Sequence, residues 1–357
     1  MIVGSKNKGD WSEFYVLLYL LGTRKIYAAD ENLNRIGTFC FPINGIIRDD
    51  DASHDVRCVL DGVKEVNIYL NSVLTRTMTS EDFVRESAFL YDEIKKGKGS
   101  FNIPHGETLL NWIGLERLAA PSAKVADIKL NLHDTNTGIN QVMGFSIKSY
   151  IGSPPTLLNA SEATNFIYEI KGINAEQAEE INAINTQHKI LDRMHAIADC
   201  GGQLCYCKTE NETFAKNLMM IDSRMEEILA EIVVYSYKSN QTVCMDILEH
   251  MEEINPLKYP RAGMYIYKFK QFLCAKALGM DPAKEWNGED SANGGYIVAK
   301  DDGDVLAYHL YNRDKFKHYL YENTKLDRGS TSKHKYASVY SCNGKYYIKL
   351  NLQIRFK

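Results

Sequence analysis

The apolar positions along the chain follow two different periods. Near the N-terminus Phe14, Leu17, Leu18 and Leu21 recur at helical spacing. That spacing predicts a helix capped by Asp10, with Glu13 at the capping-box position and Gly22 as its end. Strand-like runs follow around Ile26, from Phe39 to Ile47 and from Arg57 to Leu70. Residues 80–96 and 106–119 read as helices, the second entered from the turn-prone Pro104-His105-Gly106. Lys124 to Leu132 and Asn140 to Tyr150 then form two strands around the polar turn HDTNTG.

Gly152-Ser153-Pro154-Pro155 interrupts the pattern, and a helix is expected from near Asn159 to Ile170. Residues 174–199, 211–238 and 241–251 are rich in Glu, Ala, Met and Leu and read as helices, as does Met264 to Leu278. The last third returns to strands, with hairpins around Gly303 and Asn343-Gly344. A short helix at residues 312–322 and the basic loop KLDRGSTSKHK join those hairpins. The class is α+β, with no internal repeat or obvious linker. Three regions, 1–172, 173–290 and 291–357, are expected to pack as one body.

Composition narrows the function classes only a little. The net charge of −4 over 357 residues gives no overall basic excess. The distribution is uneven: from Lys325 to Lys357 eight basic residues face one acid, Asp327. Such asymmetry suits one phosphate-facing surface. The eight cysteines are scattered, and Cys200, Cys205 and Cys207 lack the paired spacing of a zinc site. Free thiols and a cytoplasmic location are expected, because the N-terminus turns polar at once. Phe14 to Leu21, the longest apolar run, is too short to span a bilayer.

The candidate chemistry lies on the 124–150 hairpin. Hydrolysing a phosphodiester needs a metal held by carboxylates and a cation or base near the attacking water. Asp127 lies in VADIKLNL and Lys148 in GFSIKSY, and the hairpin brings these strands together. Ser146 and Lys148 share one strand face, while Phe145 and Ile147 turn toward a core. Ser146 occupies the place where an acid would strengthen the pattern. Taken alone, the motif also fits a half-buried strand carrying a lysine that reaches out to water.

The segments KNKGDWSE, YAADENLN, GFSIKSYIGSPPTLLNASEATNF and the C-terminal GGYIVAK, YNRDKF, STSKHKY and LNLQIRF resemble the blocks of the HpaII restriction endonuclease family. The resemblance runs from near the N-terminus to the end of the chain. It implies a PD-(D/E)XK nuclease core in the first region, type II cleavage of duplex DNA at a short palindrome such as CCGG, Mg²⁺ as cofactor, and a homodimer on DNA. It implies catalytic roles for Asp127, Ser146 and Lys148, with Ala126 and Ser146 departing from the usual pattern. Some restriction enzymes that read CCGG-containing sites also carry Ser-x-Lys and recruit a carboxylate fourteen residues further on, which here is Glu162. Asp127 and Glu162 are thus the expected metal ligands.

Glu162 also stands at capping-box spacing from Asn159, and Glu13 has two readings as well: capping, or a site-facing Glu on the first helix. DNA contacts are expected from Lys6, Lys8, Lys129, Arg328, Lys333, His334 and Lys335. A catalytically inactive DNA-binding relative is the alternative raised by Ser146. A methyltransferase is disfavoured because no Gly-rich cofactor loop follows a strand.

Overall fold

The computed structural model describes residues 6–30, 32–51, 54–120, 125–135, 138–309 and 313–357. Lys124 of the first hairpin strand, two residues of its turn and the first residue of the expected 312–322 helix lie outside them. The chain divides into two compact units, each assembled from separated stretches. Unit 1 is Met1–Pro155, Ala277–Gly279 and Asp290–Phe316; unit 2 is Thr156–Lys276, Met280–Glu289 and Lys317–Lys357. The boundaries therefore do not fall at 172 and 290: the 295–309 hairpin joins the N-terminal stretch.

Unit 1 begins with α1 (Lys8–Thr23), β1 (Lys25–Ala29), β2 (Arg35–Asp51), β3 (His54–Asp61), β4 (Glu65–Leu70) and β5 (Val73–Thr79). It continues through α2 (Ser80–Lys96), α3 (Pro104–Ile113), β6 (Ile128–His133) and β7 (Asn140–Ser149). The Arg57–Leu70 run is a hairpin, β3 and β4, because Gly62 takes the left-handed turn conformation at φ 52°. The third helix stops at Ile113, where Gly114 adopts φ 91° and ends it early.

In unit 2, β8 (Thr156–Leu158), a one-turn 3-10 helix (Glu162–Thr164), β9 (Asn165–Lys171), α4 (Ala175–Ala183), α5 (Lys189–Asp199) and β10 (Gln203–Thr209) follow. Then come α6 (Glu212–Ile221), α7 (Met225–Ser239), α8 (Cys244–Ile254) and α9 (Met264–Leu278). The remaining elements are β11 (Gly295–Ala299) and β12 (Val305–His309) in unit 1, α10 (Arg313–Glu322), β13 (Thr324–Asp327), α11 (Thr331–His334), β14 (Val339–Cys342), β15 (Lys345–Asn351) and β16 (Gln353–Phe356).

The helix expected from Asn159 to Ile170 is instead β8, the 3-10 turn and β9. Along β9, Phe166, Tyr168 and Ile170 are buried and the residues between them are less so. That period of two, on aromatic and branched side chains, outweighs the local helical signal.

Unit 1 carries a nine-stranded sheet in the order β1-β12-β11-β7-β6-β2-β3-β4-β5, with a further β1–β2 pairing. The long β2 pairs β1 through its first half and β6 and β3 through its second, so β1, β12, β11, β7, β6 and β2 close a circuit of pairings. β3, β4 and β5 extend from it. β6 and β7 are antiparallel with Ile128 opposite Phe145, and β11 runs parallel to β7 with Tyr296 opposite Ser146.

α1 is packed into this framework, with Trp11, Phe14, Leu17, Leu18 and Leu21 all buried. Each such side chain contributes roughly 1.5–3 kcal/mol by leaving water. Gly22 does not end α1. It lies inside the helix, where a Cβ would stand 2.8 Å from Val84 of α2, so its missing side chain lets the helices approach. Unit 2 has a four-stranded sheet, β10-β9-β15-β14, and a three-stranded sheet, β13-β16-β8. Among the described residues no helix is long and apolar enough to cross a membrane.

Candidate active site

The hairpin places Asp127 immediately before β6, opposite β7. Its Oδ2 accepts from the Ile147 amide at 2.6 Å and from the Ser146 hydroxyl at 3.2 Å. Its own amide donates to the Phe145 carbonyl at 2.8 Å. The carboxylate is thereby locked onto the strand that carries Lys148. Phe145 and Ile147 are buried in the core of unit 1, as the strand alternation requires. Ser146 is also buried, and it acts as a donor to Asp127. Gly144 lets this strand lie close to the turn before β11: a Cβ there would come within 2.3 Å of the Ser291 carbonyl oxygen. The Gly144 amide donates to Asn293 Oδ1 at 2.8 Å.

Lys148 Nζ lies 5.2 Å from the centre of the Tyr296 ring, which β11 delivers in parallel register. An ammonium over an aromatic face is attracted by the ring's quadrupole. Tyr296 was not legible as a site residue; only its pairing with β7 reveals it.

Glu13 joins this cluster. The cap of α1 is Asn7, paired reciprocally with Asp10 in a capping box, one turn earlier than the sequence reading placed it. Glu13 is therefore free of capping duty, and its Oε2 accepts from the Ala120 amide at 2.8 Å. Burial, and next the nearby Asp127 charge, push the Glu13 carboxyl up to about 8; Arg48, the Ala120 amide and Lys148 pull it back. Burial also raises Asp127, opposed by Lys148, the Ile147 amide, Ser146 and Arg48. Arg48 is the second site residue absent from the sequence reading. It is buried, and its Nη2 donates to the carbonyls of Leu118 at 2.6 Å and Arg117 at 3.2 Å. The 117–120 segment thus grips both Arg48 and Glu13.

The remaining expected residues make the following contacts. Lys6 forms a backbone bridge to Phe101, Lys8 Nζ donates to the Lys95 carbonyl at 3.2 Å, and Lys129 is exposed on β6. In unit 2, Glu162 does not start a helix after an Asn159 cap. It opens a 3-10 turn capped by Ser161 with Thr164, and it pairs with Lys335 at 2.9 Å. Lys333 is exposed, His334 is half-buried, and Arg328 donates to Ser236.

Two half-buried carboxylates beside a lysine form a site suited to a divalent cation. Burial disfavours their negative charge, a bound cation offsets that cost, and hard oxygen donors match Mg²⁺. Among the described residues there is no group of three or more His, Cys, Asp or Glu that could hold a metal. A hydrated divalent cation keeps several waters and uses only one or two protein carboxylates.

Comparison with known proteins gives the family. The chain is 39% identical, over 99% of its length and 98% of the relative's, to the type II restriction enzyme HpaII of Haemophilus parainfluenzae. No solved structure matches it. The family model of the HpaII restriction endonuclease matches residues 7–356, a span that includes Glu13, Asp127, Ser146 and Lys148, and the chain belongs to that family.

Proposed function

We propose that this chain is a type II site-specific deoxyribonuclease that hydrolyses phosphodiester bonds of duplex DNA at a short palindrome, with the Glu13, Asp127 and Lys148 cluster as its active site. The observation that carries the reading is the pinning of Asp127 to the lysine-bearing strand by Ser146 and the Ile147 amide, in a chain that matches a restriction enzyme end to end. We read the core as a PD-(D/E)XK variant in which Ser146 orients Asp127 and Glu13, brought by α1, stands as the second carboxylate. CCGG is the proposed site, by likeness to HpaII.

Asp127 and Glu13 would hold Mg²⁺, with Ser146 fixing the Asp127 rotamer and Ala120 fixing that of Glu13. When bound, the ion supplies Lewis-acid activation of the phosphate and of the attacking water. Lys148 orients that water and stabilises the charge developing on the phosphate. Tyr296 keeps its ammonium in place. Arg48 is a fixed positive charge that offsets the two carboxylates. Cutting both strands of a palindrome fits a two-fold dimer on DNA. Lys333 and Lys335, with Lys6, Lys8 and Lys129, are proposed phosphate contacts.

Incubating the protein with plasmid DNA, with and without magnesium, tests the reading. Discrete fragments only with magnesium support it. DNA that is retarded but intact overturns it in favour of a catalytically inactive DNA-binding relative, for which the serine at position 146 is the motive.

A further inference from the structure

Unit 2 contains a cleft of about 420 Å³ formed by the start of α5 and the turn that carries residues 328–332. Two cationic side chains, Lys189 and Arg328, line it together with the consecutive hydroxyls of Ser330, Thr331 and Ser332, and no lining residue is a carboxylate. The guanidinium carbon of Arg328 sits 3.9 Å from the centre of the Tyr237 ring. Its Nη2 donates to the Ser236 carbonyl at 3.0 Å and to the Ser236 hydroxyl at 2.7 Å. These contacts fix the group in place. Its Nη1 is buried and meets no acceptor among the described residues. A buried guanidinium nitrogen without an acceptor is costly, which points to an acceptor supplied from outside the chain.

The surroundings favour an anion. α5 enters the cleft wall at Lys189, and its N-cap, His188, supplies no side-chain hydrogen bond to the first turn. The Lys189 amide donates to the Thr186 carbonyl at 3.3 Å, and the helix start adds a partial positive charge. The acid of that turn, Asp192, is absent from the lining and takes the Thr186 hydroxyl. The rest of the lining is not what a lone phosphate requires. Ile190 and Leu191 give an apolar flank, and Gln187 and Asn240 bring amides able to pair with a base edge.

We propose that this cleft binds one nucleotide unit, its phosphate on Arg328 and the Ser330–Ser332 hydroxyls and its nucleoside against Ile190 and Leu191. The unit comes either from a DNA strand, in which case the proposal rests on the DNA-cleaving reading, or from a free nucleotide. The recognition chemistry is the same in both cases.

Calorimetric titration of the metal-free, full-length protein with deoxynucleoside monophosphates, deoxynucleosides and inorganic phosphate tests the cleft directly. A CCGG duplex is titrated in parallel. Ser332→Glu puts a carboxylate at an exposed lining position without touching the packed Arg328. Lys189→Glu serves as a second variant, and circular dichroism verifies that both fold.

If the source is DNA, Ser332→Glu weakens duplex binding at least about tenfold and lowers the salt slope by about one unit. If the source is a free nucleotide, monophosphates bind the parent at one site, deoxynucleosides bind at least about tenfold more weakly, and the variant loses only the monophosphate. Parent-like behaviour of both variants in every titration overturns the proposal. Plasmid cleavage by the parent is scored separately. A parent that binds monophosphates but cuts nothing refutes the nuclease reading and leaves the cleft assigned. A parent that cuts while both variants bind like it refutes the cleft alone.

Discussion

Glu13→Gln probes the balance of charge on which the proposed active site depends. Glu13 is partly buried, and its carboxyl is raised from 4.5 to about 8 by burial and by Asp127. In the unfolded chain it ionises near its ordinary value, whereas in the metal-free fold it stays protonated to higher pH. The metal-free protein is therefore most stable on this account below about pH 4.5. It loses stability as pH rises toward 8, by at most about 1.4 kcal/mol per unit, and the loss levels off above 8. About 5 kcal/mol is the upper limit, and the actual loss is smaller because water reaches part of the carboxylate and Asp127 carries some of the same burden.

Glutamine keeps an oxygen for the Ala120 amide and removes the titration. In EDTA, thermal unfolding of Glu13→Gln should therefore fall less steeply between pH 5 and 8 than that of the parent. Magnesium favours the ionised pair, so in the parent it should raise the unfolding temperature more at pH 8 than at pH 6. In the variant that gain should be largely lost, together with cleavage. Parallel pH profiles for parent and variant in EDTA, with equal magnesium stabilisation, would refute the placement of Glu13 beside Asp127.

Other outcomes follow from the same geometry. Lys148→Ala should lose at least about a hundredfold in cleavage rate while binding duplex DNA normally, as gel shift and single-turnover kinetics would show. Asp127→Asn should abolish cleavage yet fold, because its amide oxygen can still accept from Ile147; detectable magnesium-dependent cutting would remove Asp127 from the mechanism. Glu162→Gln breaks an ion pair whose side chains are 68% and 49% exposed, so its stability should change by less than about 1 kcal/mol with magnesium dependence unaltered. A markedly higher magnesium requirement in that variant would make Glu162 a ligand after all. Lys333→Ala should weaken DNA binding across sequences and reduce the salt slope by about one unit, and an unchanged slope would mean the lysine is merely solvated.

Apolar spacing alone is enough to place the elements whose burial is one-sided and periodic. α1, α2, α9 and the β6–β7 hairpin follow from apolar spacing, and with the hairpin came Asp127 and Lys148, because alternation along β7 leaves Ser146 and Lys148 on one face. The blocks resembling a nuclease family were legible for the same reason: they are local. What the sequence could not decide depends on partners distant along the chain. The segment 165–171 carries helix-compatible residues, and it becomes β9 only because β10 and β15 satisfy its backbone hydrogen bonds on both sides. Glu13 and Asp10 both fit a cap by spacing. Only the observed start of α1 at Lys8, with Asn7 as cap, releases Glu13 toward Asp127. Arg48 and Tyr296 lie far in sequence from both carboxylates, and nothing local marks them. They enter the site because β2 and β11 are strands of the same sheet as β6 and β7. Packing and strand order are cooperative properties of the whole fold, whereas periodicity and capping are properties of a short window.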